Sequence, residues 1–248
     1  TTGSNNTAFG TNSLYFNTTG QFNSAFARNA LFNNTIGSFN VAQGQGALFN
    51  NTEGSNNVAL GGDAGGSNLT GSGNVFVGRN AGYNETGSDT LYIANNKSRP
   101  LLYGEFSTTA ADNKLGIGTS SVASGDTITV WNGAHLTTGG VWTNASSREL
   151  KQDIQSLSSE DAQQTLAALS PVRYAYKNSP DEEYVGFIAE DVPALVASND
   201  RKSLSPMDVV AVLTQVTKEQ EDRITQLELA LTELLRERND NLQVTAIN

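Results

Sequence analysis

Gly54-Ser55-Asn56-Asn57-Val58-Ala59-Leu60-Gly61 is followed, seventeen residues on, by Gly71-Ser72-Gly73-Asn74-Val75-Phe76-Val77-Gly78. Read backwards, the same frame returns Gly37, Gly20 and Gly3, then Asn40, Asn23 and Asn6, then Ala42, Ala25 and Ala8. Leu14, Leu31 and Leu48 complete the apolar set, and Gly65 and Gly82 take that position in the later copies. Five copies at one fixed spacing identify a repeat architecture.

A seventeen-residue unit is too short for a helical hairpin, which needs about 33 residues. Short alternating segments such as Asn57 to Gly61 and Asn74 to Gly78 read as strands of period two. Gly and Asn at fixed offsets supply the turns, because both tolerate left-handed backbone angles. Stacked coils place equivalent residues about 4.8 Å apart, so five coils make a stub of roughly 24 Å. The Asn column is expected to form a side-chain ladder that satisfies turn backbone groups. Each coil offers only an Ala, a Leu and an aromatic or Val. Three chains around a common axis would bury the remaining apolar side and hide the edges. A homotrimer is therefore expected. Asn33-Asn34-Thr35 and Asn50-Asn51-Thr52 fit the glycosylation pattern, but they recur at the repeat period and the solenoid itself accounts for them.

The repeats Thr35 to Ala42 and Gly54 to Gly61 resemble the head repeats of trimeric autotransporter adhesins. That resemblance covers residues 1–87 and implies a trimeric β-roll.

Outward from the repeat, residues 88–144 lose the period. Thr90 to Ile93, Leu101 to Tyr103, Leu115 to Ile117 and Thr127 to Trp131 read as strands of a β-connector. His135 has no sequence neighbour with which to build a metal or catalytic cluster, and Trp131 and Trp142 read as packing aromatics.

Composition sets further bounds. The chain has 248 residues, is 37% hydrophobic and holds 24 glycines, which is lean for one globular core and ordinary for a solenoid with a small appended domain. It contains no cysteine, so no disulfide or thiolate metal site is expected. No metal or cofactor is implied. Residues 1–144 carry 5 basic against 7 acidic side chains, and residues 145–248 carry 10 against 18, giving net charges of −2 and −8. An acidic C-terminal part argues against nucleic acid and against an anionic membrane as partner. No apolar run reaches the roughly 18 residues of a membrane span, so no membrane insertion is expected. The opening at Thr1, without a signal-peptide pattern, is what a fragment or mature product would show.

Beyond residue 144 the character changes. Ser158-Ser159-Glu160-Asp161 offers a capping box for a helix that Pro171 ends. Val172 to Tyr176 alternates like a strand, Asn178 to Asp181 turns, and Tyr184 to Ile188 returns. Asp191 to Val196 is expected to begin another short helix. From Met207 to about Arg238 the pattern is helical with heptads. Val210, Thr217, Ile224 and Leu231 fall at a, and Leu213, Gln220, Leu227 and Leu234 at d. Val210, Leu213, Ile224, Leu227, Leu231 and Leu234 are the candidate trimerisation residues. An intrachain helix packed on the α+β unit would show a similar stripe. The expected domains are residues 1–87 as β-solenoid or β-roll repeats, 88–144 as connector, 145–206 as an α+β module, and 207–248 as coiled-coil helix and tail.

Ser146-Ser147-Arg148-Glu149-Leu150-Lys151, then Leu169 to Tyr174, then Gly186 to Val192, then terminal heptads, resembles the endosialidase-type intramolecular chaperone. The resemblance covers about residues 142–240. It implies a domain that trimerises, guides an upstream β-fibre into register and is then released by a Ser/Lys dyad. Carried over, Ser146 is the nucleophile and Lys151 its base, and the scissile bond lies between Ala145 and Ser146. Ser147 and Arg148 are supporting residues, and Ser147 stands where the family commonly has Asp.

The chemistry sets requirements of its own. A serine hydroxyl needs a base to become a nucleophile. A lysine can be that base only when neutral, which requires its pKa to fall from about 10.4 toward 7 or 8. Burial in a trimer and the neighbouring Arg148 would act in that direction, and pairing with Glu149 would oppose it. A spacing of five places the two side chains on opposite faces of a strand and about 140° apart on a helix. A bend, or a contact between chains, must bring them together.

The expectation is the C-terminal part of a trimeric extracellular fibre, from a tail machine or a bacterial surface, that attaches to a cell-surface receptor or glycan. Its C-terminal module would act as a self-cleaving serine endopeptidase that turns over once. The rival is a non-catalytic adhesin with a permanently retained trimeric cap. A glycan-degrading spike is disfavoured, because no carboxylate pair recurs in the repeat.

Overall fold

The computed structural model describes residues 2–246, with the side chains of 239–246 outside that description. By its internal contacts the chain divides into two units, Thr1–Gln152 and Asp153–Asn248.

The first unit is a β-solenoid. Each seventeen-residue copy contributes one three-residue strand: β1 (Thr7–Phe9), β2 (Ser24–Phe26), β3 (Val41–Gln43), β4 (Val58–Leu60) and β5 (Val75–Val77). They stack in parallel with equivalent residues paired, so Ala25 faces Ala42 and Ala42 faces Ala59. The stack does not stop with the sequence repeat. β6 (Thr90–Ile93) pairs in parallel with β5, with Val75 opposite Leu91, a step of sixteen residues. The sheet then continues through β7 (Leu102–Glu105), β8 (Lys114–Ile117), β9 (Asp126–Val130), β10 (His135–Thr137) and β11 (Trp142–Thr143) as one eleven-stranded sheet in sequence order.

The core inside the coils is narrow. Ala25, Ala42 and Ala59 from the strands, Ala30, Ala47 and Ala64 from the turns, and Leu31 and Leu48 are all fully buried. The Leu position is left-handed, with φ of 52°, 53° and 51° at Leu14, Leu31 and Leu48 and of 61° and 56° at Gly65 and Gly82. Where glycine takes over, Phe76 replaces the strand Ala and fills the vacated space. A Cβ at Gly65 would meet Phe76 Cδ2 at 2.5 Å, and one at Gly82 would run into the other edge of the same ring.

Two asparagine ladders hold the turns. Asn40 Oδ1 accepts from Asn57 N at 3.0 Å while its Nδ2 donates to Gly54 O at 2.8 Å, and Asn23, Asn57 and Asn74 repeat the arrangement. The second ladder is formed by Asn17, Asn34, Asn51 and Asn68, each of the last three donating to the asparagine one coil before it and to a glycine carbonyl. An unpaired buried polar group costs about 1–3 kcal/mol, and the ladders remove that cost from coil to coil until the end of the second one, where Asn68 Oδ1 is left without a partner. The glycosylation-like Asn33 and Asn50 are part of the stack: Asn33 Nδ2 donates to Asn50 Oδ1 at 3.2 Å and Asn50 Nδ2 to Gly66 O at 2.8 Å. Gly37 is required by close approach, since a Cβ there would collide with the Gly54 carbonyl oxygen.

In the connector, Tyr92 and Tyr103 pack edge to face and donate to Glu85 and Glu105. Burial, and then those carboxylates, push both phenols above their ordinary range. His135 lies 3.8 Å from Asp126 and 3.0 Å from the Gly133 carbonyl, a strand residue held by its neighbours.

The second unit is a small α+β body. α1 (Ser159–Ala168) is capped by Ser158, whose Oγ accepts from Asp161 N at 3.0 Å. β12 (Val172–Tyr176) and β13 (Ser179–Gly186) form a hairpin, but its turn is only Lys177-Asn178, so Pro180 lies within the strand rather than in the turn expected from the sequence. A two-stranded ribbon tolerates this, because an edge position needs no donor from Pro180. The helix expected from Asp191 to Val196 is absent, and that stretch is a run of turns. Arg201 Nη2 donates to the carbonyls of Glu190 and Val192 at 2.7 and 2.6 Å, engaging oxygens that a helix would direct along its axis. α2 (Pro206–Ala246) is one helix, and the last residues of the expected tail, 247–248, lie outside the described residues. Val212 and Val216 of α2 are buried with Ala162, Val192 and Val196.

Candidate functional site

The candidate site follows β11: residues 144–147 have no regular structure and lead, through an extended Ser147, into a single 3₁₀ turn, Arg148–Leu150. Ser147 caps that turn. Its side chain accepts from Glu149 N at 3.3 Å, and its backbone carbonyl accepts from Leu150 N at 3.1 Å. The Arg148 carbonyl accepts from Lys151 N at 3.1 Å. These bonds fold the chain back on itself, and Lys151 Nζ comes to 2.7 Å from Ser146 Oγ. The bend required by the five-residue spacing is thus supplied within one chain, and no second chain is needed for the contact.

As an ammonium, Lys151 donates to Oγ; as a neutral amine it would accept the Ser146 proton across the same contact. Both side chains face solvent, and Ala145 is half-buried. Glu149 makes no ion pair with Lys151 among the described residues, where the Lys and Arg ion pairs are Lys114–Glu105 and Arg173–Glu183. Arg148 enters through its backbone.

The role of Ser147 bears on its departure from the family pattern. Ser and Asp are both strong N-cap residues, because each presents an oxygen acceptor at the right reach. The position asks for a cap, and Ser147 is one.

The heptad residues of α2 occupy a face apart from its buried one. Val209, Val212 and Val216 pack on α1 and the turns, and Gln215 Nε2 reaches Ser159 Oγ at 3.2 Å. Val210, Leu213, Ile224, Leu227, Leu231 and Leu234 are all exposed, from 43% at Leu213 to 69% at Leu227. The helix therefore carries two stripes, one used inside the unit and one left open. The inner stripe was missed in sequence, although its spacing of three and four residues from Val209 was visible. Arg201 gave no comparable signal.

No helix among the described residues is long and apolar enough to cross a membrane, and none of their His, Asp and Glu side chains gather in threes as a metal site would need.

Residues 146–200 match the family model described as the chaperone of endosialidase. No curated protein and no solved structure matches the chain significantly. The match begins at Ser146 itself, includes the Ser147-capped turn and Lys151, and runs through α1, the hairpin and the turns clamped by Arg201. A β-solenoid followed by such a module fits a tail-fibre-like protein. The chain carries, behind its solenoid, an endosialidase-type chaperone domain.

Proposed function

We propose that this chain is the C-terminal part of a trimeric extracellular fibre whose chaperone domain drives trimer folding and then releases itself by cutting between Ala145 and Ser146. The observation that carries the catalytic part is the 2.7 Å contact between Lys151 Nζ and Ser146 Oγ at the first residues of the matched domain. Neutral Lys151 takes the hydroxyl proton of Ser146. Oγ attacks the Ala145 carbonyl carbon, and the Ala145–Ser146 C–N bond breaks as the Ser146 nitrogen is protonated. The resulting ester is opened by water, which leaves a carboxylate on Ala145 and restores the Ser146 hydroxyl beside a free amine.

The open stripe on α2 supports self-association, because six large apolar side chains at heptad spacing remain exposed in the single chain. Since the dyad contact forms within one chain, assembly would gate cleavage through burial of the contact rather than through its formation. The upstream fibre would present its surface to a cell-surface receptor or glycan and serve host attachment.

A denaturing gel of freshly expressed protein tests this. A new fragment of 103 residues starting at Ser146 is expected, and Ser146→Ala or Lys151→Ala should slow its appearance by at least about 100-fold. Full-length protein that stays uncut for days in native buffer would leave the second reading, a retained non-catalytic cap. The solvent-facing position of the dyad in the single chain favours that rival.

A further inference from the structure

In β4 and β5 the solenoid sheet is apolar on both faces. Its middle residues point inward to the Ala and Phe core, and the strand residues on either side of them form two columns on the outer face. Pair by pair, the register carries one column from Leu60 through Val77, Ile93, Leu102 and Ile117 to Val130. The other runs from Val58 through Val75 and Leu91, across Gly104, to Leu115 and Ile128. It ends through Leu136 at Trp142, three residues before Ala145. Neither column contains a charged residue, from β1 to β11. The first column starts with Phe9 and Phe26 but passes Gln43 before Leu60, and the second starts with Thr7 and Ser24; from Val41 to Trp142 the second holds no polar side chain over nine strands, about 38 Å at the strand spacing. Leu60 and Ile117 are about one-third exposed, Trp142 half exposed and Phe9 74% exposed.

We infer that this outer face, continuous through repeats and connector, is the surface on which further copies of this chain pack in the fibre. The inference rests on the trimer proposed above and says which face builds it. Water-soluble monomers rarely leave an uncharged apolar face of this length open, and a sheet apolar on both faces is one that is covered on both. A second copy fits because its rungs repeat at the same spacing and meet this face coil for coil. Glycan stacking is disfavoured at the large aromatics elsewhere on the coils. Phe32 stacks between Tyr15 and Phe49, at 5.5 and 5.1 Å, so both faces of its ring and one face of each neighbour are already occupied.

The same uniformity has a cost. From β4 to β6 the columns offer only Val, Leu and Ile at each step, which hardly distinguishes one register from the next, and upstream only the polar Thr7, Ser24 and Gln43 mark a position. A slip by one coil leaves Val75 facing the partner's Val58 in place of its Val75. The fibre face supplies adhesion with little register, and an appended module that sets the register is what such a face requires.

The chain has no cysteine, so single-cysteine variants are unambiguous. Val75→Cys and Ile117→Cys in the full chain should be linked between chains by a short bismaleimide, giving most of the protein as dimer or trimer on a denaturing gel. Phe22→Cys, off the sheet, should give less than a tenth of that yield. Light scattering of the same samples separates the two claims. Trimeric protein that links at Phe22→Cys and not at Val75→Cys, or at none of the three, overturns the inference and leaves the trimer. Linking at Val75→Cys alone overturns its extension into the connector. Monomeric protein overturns both.

Discussion

In the seventeen-residue coils most buried side chains have a copy one coil away. Ala42 lies between Ala25 and Ala59, and Asn40 between Asn23 and Asn57. In the Asp153–Asn248 unit nothing recurs. Ala162 from α1, Val192 and Val196 from turns, and Val212 and Val216 from α2 meet once, around one small core. The solenoid is held by nearest-neighbour contacts repeated along an axis, so its stability accumulates coil by coil. The α+β unit is held by one set of side chains and must form or fail as a whole. The periodic part can grow by adding coils but contains little that fixes where a neighbouring chain begins. The aperiodic part supplies the unique features.

The strongest way to break this comparison is at Phe76. If the coils are interchangeable modules, the exchange of Ala and Leu for Phe and Gly is one packing solution written in two ways. Phe76→Ala should then cost about 3–5 kcal/mol, as for other buried Phe truncations. Adding Gly65→Leu should recover more than half of it, because Leu31 and Leu48 already occupy that left-handed position. Denaturant melts of the single and double variants measure the coupling. Strict additivity would mean that the two positions do not share one space.

Next in size is Val212→Ala. Removing about two methylenes from the core around α1 should cost about 2 kcal/mol. The loss should appear only in the transition of the α+β unit, with the solenoid transition unmoved. Amide hydrogen exchange followed residue by residue would show it. Equal loss of protection at Ala42 would mean that the two units do not melt independently.

What the sequence revealed follows the same division. The solenoid was legible because period and residue type carry the same message: Gly where a neighbour's carbonyl comes close, Asn where turn groups need partners, Ala where the core is narrow. The sixth coil was not, because its step of sixteen residues drops out of a period-17 frame although Leu91 and Ile93 keep their places in the columns. In the α+β unit, α1 was legible from its capping residue, Ser158. The turns from Asp191 to Val196 were not, because the clamp that holds them is Arg201, a residue whose own neighbourhood in sequence says nothing of Glu190 and Val192. At the candidate site the residue types could be read, but the contact could not. Spacing alone set Ser146 and Lys151 apart, and the 3₁₀ turn between them depends on a local side-chain cap.

That cap gives the smallest and most discriminating test. Ser147 touches neither the proposed nucleophile's oxygen nor the base; its Oγ holds Glu149 N, and the turn so formed delivers Lys151 to Ser146. Ser147→Ala removes one cap, a loss of about 1 kcal/mol, which at one tenfold per 1.4 kcal/mol lowers the equilibrium constant for the turn about fivefold, and its population by nearly that factor where a single exposed turn is marginally stable. If cleavage follows the proposed dyad, its rate should fall by a similar factor while light scattering and thermal melting of the α+β unit stay as before. Ser147→Asp should restore the rate, because Asp caps as well as Ser. Ser147→Ala cutting at full speed would show that the turn is not what positions the dyad. Failure of Ser147→Asp alone would point to Ser147 as an alternative nucleophile, which Asp cannot replace by capping. The site is thus a place where an exposed, local hydrogen bond of modest energy would set the rate of an irreversible step, next to a fibre whose own bonds are buried and repeated.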